Sequence, residues 1–119
     1  MSKAIDEICK LLVEKFERKY RGTGLEEYVK FHRFDWASQF RTVDIYKPGF
    51  QALLKKLKRK RYSEKELVEM AWRGKINEDP ILIEHYLYKY EGILFKEVDG
   101  KYELTDLAIS LMKEIGLLK

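Results

Sequence analysis

From residue 3 onward the apolar positions recur at three- and four-residue spacing. Ile5, Ile8, Cys9, Leu12, Phe16 and Tyr20 fall on one side of a helix, with Lys, Glu and Arg between them. The pattern predicts an amphipathic helix over 3–20, broken by Arg21-Gly22-Thr23-Gly24. The stretch Leu25–Lys47 carries two patterns at once. Leu25, Tyr28, Val29 and His32 fit a short helix, and Trp36, Phe40 and Val43 continue a helical spacing, yet Val43 and Ile45 fit a short strand equally well. We read helix through Asp35–Val43. Lys47-Pro48-Gly49 is a break, and Phe50, Leu53, Leu54 and Leu57 then mark one face of a helix running to Arg61.

The second half is punctuated more sharply. Ser63 and Glu66 form a capping box ahead of the periodic run Leu67, Val68, Met70, Ala71. Gly74 ends that helix as a left-handed C-terminal cap would. Asp79-Pro80 restarts helix, because Asp accepts orphan N–H groups and Pro is pre-shaped for the first helical position. The run Ile81–Glu91 follows and stops at Gly92. ILFKEV and KYEL are β-prone and are joined by Asp99-Gly100, a dipeptide that tolerates positive φ at both turn positions. Thr105 and Asp106 open a last helix with Leu107, Ile109, Leu111, Met112 and Ile115 on its apolar face.

The order over Tyr62–Gly116 is helix, short turn, helix, tight hairpin, helix. It resembles the winged helix-turn-helix superfamily, and the helix Phe50–Arg61 lengthens the resemblance if it serves as the module's first helix. The resemblance implies a mainly α fold with a small β-hairpin. Residues 1–47 would form an N-terminal helical extension packed on a module spanning 48–119, all within one compact domain. It further implies a nucleic-acid-binding protein acting on double-stranded DNA as a transcription regulator. Protein-interaction modules of transcription, replication or repair assemblies share the same pattern, so the fold alone leaves both functions open.

Composition agrees with a single core. The chain has 119 residues, 45% of them hydrophobic, which excludes global disorder. No apolar run approaches the ~20 residues that span a bilayer. No signal-peptide core follows Met1, so the expectation is a cytoplasmic protein with no membrane partner. Cys9 is the lone cysteine and sits on an apolar stripe, which suits an inert core thiol in a reducing compartment. Charged residues are 37% of the chain, while Gln39, Gln51 and Asn77 are its only amides. That balance is typical of hyperthermophile proteins.

Charge is divided unevenly. Residues 1–62 hold 16 Lys/Arg against 8 Asp/Glu, and residues 63–119 hold 8 against 12, so halves of +8 and −4 underlie the net +4. The sharpest feature is Lys55, Lys56, Lys58, Arg59, Lys60 and Arg61, six cations in seven positions. Such a cluster can neutralise several phosphates and gives salt-sensitive binding. A solvated helix end whose cations meet the negative end of the dipole is the alternative, which we rank below phosphate contact because no acid interrupts the run. Arg73 and Lys75 would extend the patch.

The third helix of the module reads ILIEHYLYKYE. Its polar groups Glu84, His85, Lys89 and Glu91 are net acidic, and it lacks the Arg, Asn and Gln that read guanine and adenine. It is apolar nearly all round, as helices buried on more than one side are. An exposed patch of Leu82, Tyr86, Tyr88 and Tyr90 would instead bind a protein partner. The wing is nearly neutral, with Lys96 and Lys101 set against Glu97 and Glu103. The stretch Tyr28–Trp36 mixes rings with cations, as single-strand grooves do, although an apolar seam with snorkelling charges is commoner.

Enzymatic patterns are weak. His32 and His85 have no companions at metal-ligand spacing, and no glycine-rich phosphate loop occurs. Asp35, Asp44 and Lys47 are wrongly spaced for a metal-nuclease set. We expect no catalytic residue, metal or cofactor. The apolar first and last helices fit a homodimer seam or a monomer core equally well.

Overall fold

The computed structural model describes residues 3–118, which fold around one apolar cluster. Seven helices and a hairpin make it up. The N-terminal region holds α1 (Lys3–Tyr20), α2 (Glu26–His32) and α3 (Asp35–Thr42), followed by a 3-10 turn over Asp44–Tyr46. Next come α4 (Pro48–Arg59), α5 (Glu64–Trp72) and α6 (Pro80–Tyr90). The strands β1 (Phe95–Val98) and β2 (Lys101–Leu104) precede α7 (Asp106–Glu114). The mainly helical fold with a two-stranded antiparallel sheet agrees with expectation. No helix among the described residues is long and apolar enough to cross a membrane.

The capping chemistry is realised where the residues announce it. The Glu66 N–H donates to the Ser63 hydroxyl at 3.1 Å, and the Ser63 N–H donates back to the Glu66 carboxylate at 2.8 Å. At Gly74, φ of 73° lets the chain reverse. Its N–H reaches the Ala71 carbonyl and the Lys75 N–H reaches Met70, the paired bonds of a Schellman cap. The Asp79 carboxylate accepts from the Ile81 N–H at 2.8 Å. Asp99 and Gly100 both take positive φ, at 53° and 79°, closing a two-residue hairpin whose register pairs Val98 with Lys101 and Phe95 with Leu104.

Three expectations need correction. Helix α4 begins at Pro48, not Phe50, and ends at Arg59, not Arg61. Gly49 is not a breaker but a point of close approach: a Cβ there would lie 2.8 Å from the Asn77 carbonyl and 2.4 Å from the Glu78 Cβ. Pro48 occupies the first turn, where its missing N–H costs nothing. The strand option for Val43 and Ile45 gives way to the 3-10 turn, which buries Asp44 and Ile45.

Helix α1 packs on α3 and α7. Ile8 and Leu12 of α1 and Leu111 and Met112 of α7 belong to the same buried cluster within one chain. The Glu114 carboxylate accepts the Ala4 N–H at 2.9 Å, placing a negative charge at the positive end of α1. Helix α6 is buried at Ile83, Tyr86, Leu87, Lys89 and Tyr90. The Lys89 ammonium is fully buried and donates to Asp44 Oδ2 at 2.9 Å, and the Tyr90 hydroxyl donates to the same oxygen. Burial pushes the Lys89 ammonium below its ordinary value, against the pull of Asp44. A second lysine ties the same helix down: Lys15 of α1 donates to the carbonyls of Tyr88, Lys89 and Glu91, which α6 leaves unpaired at its C-terminal end.

Removing Asp44 leaves a buried ammonium without its carboxylate. Asp44→Ala is therefore expected to cost about 3–5 kcal/mol of unfolding free energy in urea titration, with most of it restored by adding Lys89→Met.

Candidate nucleic-acid interface

The basic run straddles an element boundary. Lys55, Lys56, Lys58 and Arg59 occupy the last turns of α4, whose opposite face buries Leu53, Leu54 and Leu57. Lys60 is extended, with φ −164° and ψ 164°, and leads into Tyr62, which bridges antiparallel to Tyr102 of β2. The chain thus turns from helix into a third, one-residue edge of the hairpin. Helix and hairpin bring Lys58, Lys60 and Arg61 to a groove of about 290 Å³ that is also lined by Leu57, Glu103, Leu104 and Ile109, while Lys55, Lys56 and Arg59 lie outside it.

The cations are not equally free. Arg61 lies 3.5 Å from Glu103, and the Lys60 ammonium sits 5.2 Å from the centre of the Tyr62 ring. Lys55, Lys56, Lys58, Arg59 and Lys60 have no carboxylate partner among the described residues. Five like charges on a helix end repel one another unless an anion intervenes. Their placement at the C-terminal end of α4 offsets part of that repulsion through the helix dipole.

Arg73 and Lys75 do not join this group. The α5–α6 turn lies against the start of α4, through Gly49 and a 3.4 Å ion pair between Lys47 and Glu78. The basic cluster is at the other end of α4, a helix about 18 Å long at 1.5 Å per residue. Arg73 and Lys75 instead share a shallow cleft with Glu66, Glu69 and Met70.

Helix α6 offers little to a phosphate backbone. Lys89, its one cation of fixed charge, is spent on Asp44, which leaves Glu84 and Glu91 as its exposed charged groups. The four candidate partner-binding residues do not form a surface. Tyr86 is 1% and Tyr90 0% exposed, packed edge-on or tilted against Phe50, while Leu82 is half-buried and only Tyr88 is exposed. The helix-period pattern allowed either face to be outward. The core rings and the Asp44 and Glu78 carboxylates that receive the two hydroxyls turn them inward. On the β-hairpin, Lys101 is 3.9 Å from Glu66, and Lys96 and Glu97 are exposed.

The aromatic-basic stretch divides. Tyr28 and the half-buried Trp36 pack against Phe16, with Tyr28 still 42% exposed, while Phe31 and Phe34 face outward. Asp35, Asp44 and Lys47 disperse to His32, Lys89 and Glu78 respectively. Among the described residues no three His, Cys, Asp or Glu side chains gather as a metal would require. Comparison of the chain with protein-family models, curated proteins and solved structures returned no match.

Two features escape a reading of the sequence. Lys89 is a single lysine in a helix apolar all round, which signals a paired buried charge, but its partner is 45 residues away. Lys15 lies in an ordinary amphipathic pattern with no signal at all.

His85 is half-buried on α6, and burial, then the Lys89 charge, push its imidazole below the ordinary value of 6.5. Between its folded value and 6.5 the unfolded chain binds a proton that the folded chain does not. Unfolding free energy should therefore fall as the pH is lowered through 6.5, and His85→Gln should flatten that fall in urea titrations across pH 5–7.

Proposed function

We propose that this chain is a winged helix-turn-helix protein that binds double-stranded DNA as a regulator, gripping phosphates with the C-terminal end of α4. The winged-helix reading draws support from the order α4, α5, α6, β1, β2 and from the Tyr62–Tyr102 bridge, which adds a third edge to the hairpin. The observation that carries the binding reading is the set of five cations, Lys55, Lys56, Lys58, Arg59 and Lys60, without carboxylate partners among the described residues. The mode of contact follows from α6. That helix, whose exposed charged groups are acidic, lacks the Arg, Asn and Gln that read guanine and adenine, so the proposed grip is electrostatic and made on phosphates.

A second reading, a protein-interaction module in a larger assembly, draws on different residues from those the sequence suggested. Trp72 at the end of α5 and Ile81 at the start of α6 are 75% and 72% exposed. Large apolar side chains left open on the two helices that flank the α5–α6 turn are the kind of feature that such modules present to partners.

The two readings part in a salt series. Fluorescence anisotropy with a labelled random duplex should give binding that weakens steeply with salt. Reversing Lys55, Lys58 and Arg59 to Glu should lower affinity by roughly 100-fold or more at low salt and flatten the log–log slope by about 0.9 for each phosphate no longer neutralised. Unchanged affinity would remove the DNA-binding reading and leave the interaction module.

A further inference from the structure

An open groove of about 600 Å³ lies away from the basic cluster, between the N-terminal helices and α6. That volume falls within the range of small-molecule sites, roughly 300–1,000 Å³. Aromatic rings and polar side chains share its walls. Tyr20 and Tyr28 meet edge-on at 5.3 Å, and Trp36 and Tyr88 meet edge-on at 6.1 Å, so the rings from α1, α2, α3 and α6 brace one another.

One cation of the groove lining stands among these rings; Lys15, 5.4 Å from the Tyr88 centre, instead donates to the carbonyls at the end of α6. The Lys19 ammonium is 4.8 Å from the Tyr88 ring centre and 5.6 Å from those of Tyr20 and Trp36. The rings orient the ammonium without neutralising it, and it has no carboxylate within ion-pair distance among the described residues. The one acid in the lining, Asp35, is held by His32 at 2.8 Å. Neutral groups complete the site. Gln39 accepts from Lys89 through its carbonyl oxygen at 3.4 Å, which leaves its amide N–H groups to donate.

We propose that this groove binds a planar aromatic carboxylate, its ring against Trp36 and Tyr88 and its carboxylate on Lys19. The proposal goes beyond the DNA-binding reading and does not depend on it. The same contacts weigh against other occupants. A cationic ligand would be repelled by the Lys19 ammonium that stands beside these rings. A nucleic-acid strand needs a track of cations, and this lining supplies only Lys19 besides the half-buried His85. A purely apolar ligand would cover the Lys19 ammonium and the Gln39 amide without giving either a partner.

The test uses the full chain without DNA, titrated with 2-naphthoate by calorimetry and by the indole N–H signals of its two tryptophans. One-site binding is expected, with Trp36 shifting and the exposed Trp72 unmoved. The neutral isostere 2-naphthalenemethanol should bind about tenfold or more weakly, the loss of one charge-assisted hydrogen bond. Lys19→Gln should weaken 2-naphthoate by a similar factor while leaving the alcohol unaffected. Thr42→Glu, which adds a like charge at an exposed lining position, should also weaken the acid alone. No binding at millimolar 2-naphthoate would overturn the proposal. So would equal affinity for acid and alcohol, equal shifts at Trp36 and Trp72, or indifference to both substitutions.

Discussion

The ion pair between Lys89 and Asp44, sealed with the Tyr90 hydroxyl, holds the two parts of the molecule in one arrangement. Taking two charges out of water costs several kcal/mol per ion, and only close geometry with further hydrogen bonds offsets it. Here the Asp44 carboxylate receives both Lys89 and Tyr90, and Gln39 stands 3.4 Å from the ammonium. A sliding or rotation of α6 against the Asp44–Tyr46 turn would leave a buried charge alone. The pair therefore specifies one docking of α6 on the N-terminal helices, where apolar packing by itself would tolerate several. Lys15 reinforces it from α1 by taking the carbonyls at the end of α6.

That docking decides what the surface can do. With Lys89 withdrawn and Tyr86 and Tyr90 facing Phe50, α6 becomes the shared wall between the two parts of the chain instead of a projecting reader. Its outer positions retain Glu84, Tyr88 and Glu91, a combination that repels a phosphate backbone. The positive charge of the first 62 residues is concentrated elsewhere, at the end of α4. Helix α6 thus serves packing, while α4 joins a buried face of Phe50, Leu53, Leu54 and Leu57 to the basic cluster at its end.

The legible parts of the fold were those set by local chemistry. Ser63 with Glu66, Asp79 with Pro80, Asp99 with Gly100, and Thr105 act within a few residues of themselves, and each element began or turned where they stand. Gly49 misled because a glycine between Lys47-Pro48 and an apolar run looks like a break. Its reason is tertiary: Glu78 and the Asn77 carbonyl fill the space of a side chain. The facing of Tyr86 and Tyr90 was equally hidden, since a helix apolar all round has no marked inside. The six-cation run was plain, whereas the pairing of Arg61 with Glu103 needed the β2 edge beside it. The Lys19 groove assembles rings from four helices, and no spacing along the chain announces it.

The proposed function turns on whether the end of α4, and not α6, meets the nucleic acid. An amide chemical-shift titration of the labelled protein with a short duplex resolves this residue by residue. Shifts concentrated at 55–61 and the adjoining Tyr62–Tyr102 bridge are expected, with 82–90 unmoved. Shifts centred on α6, or none at any residue at low salt, would contradict it.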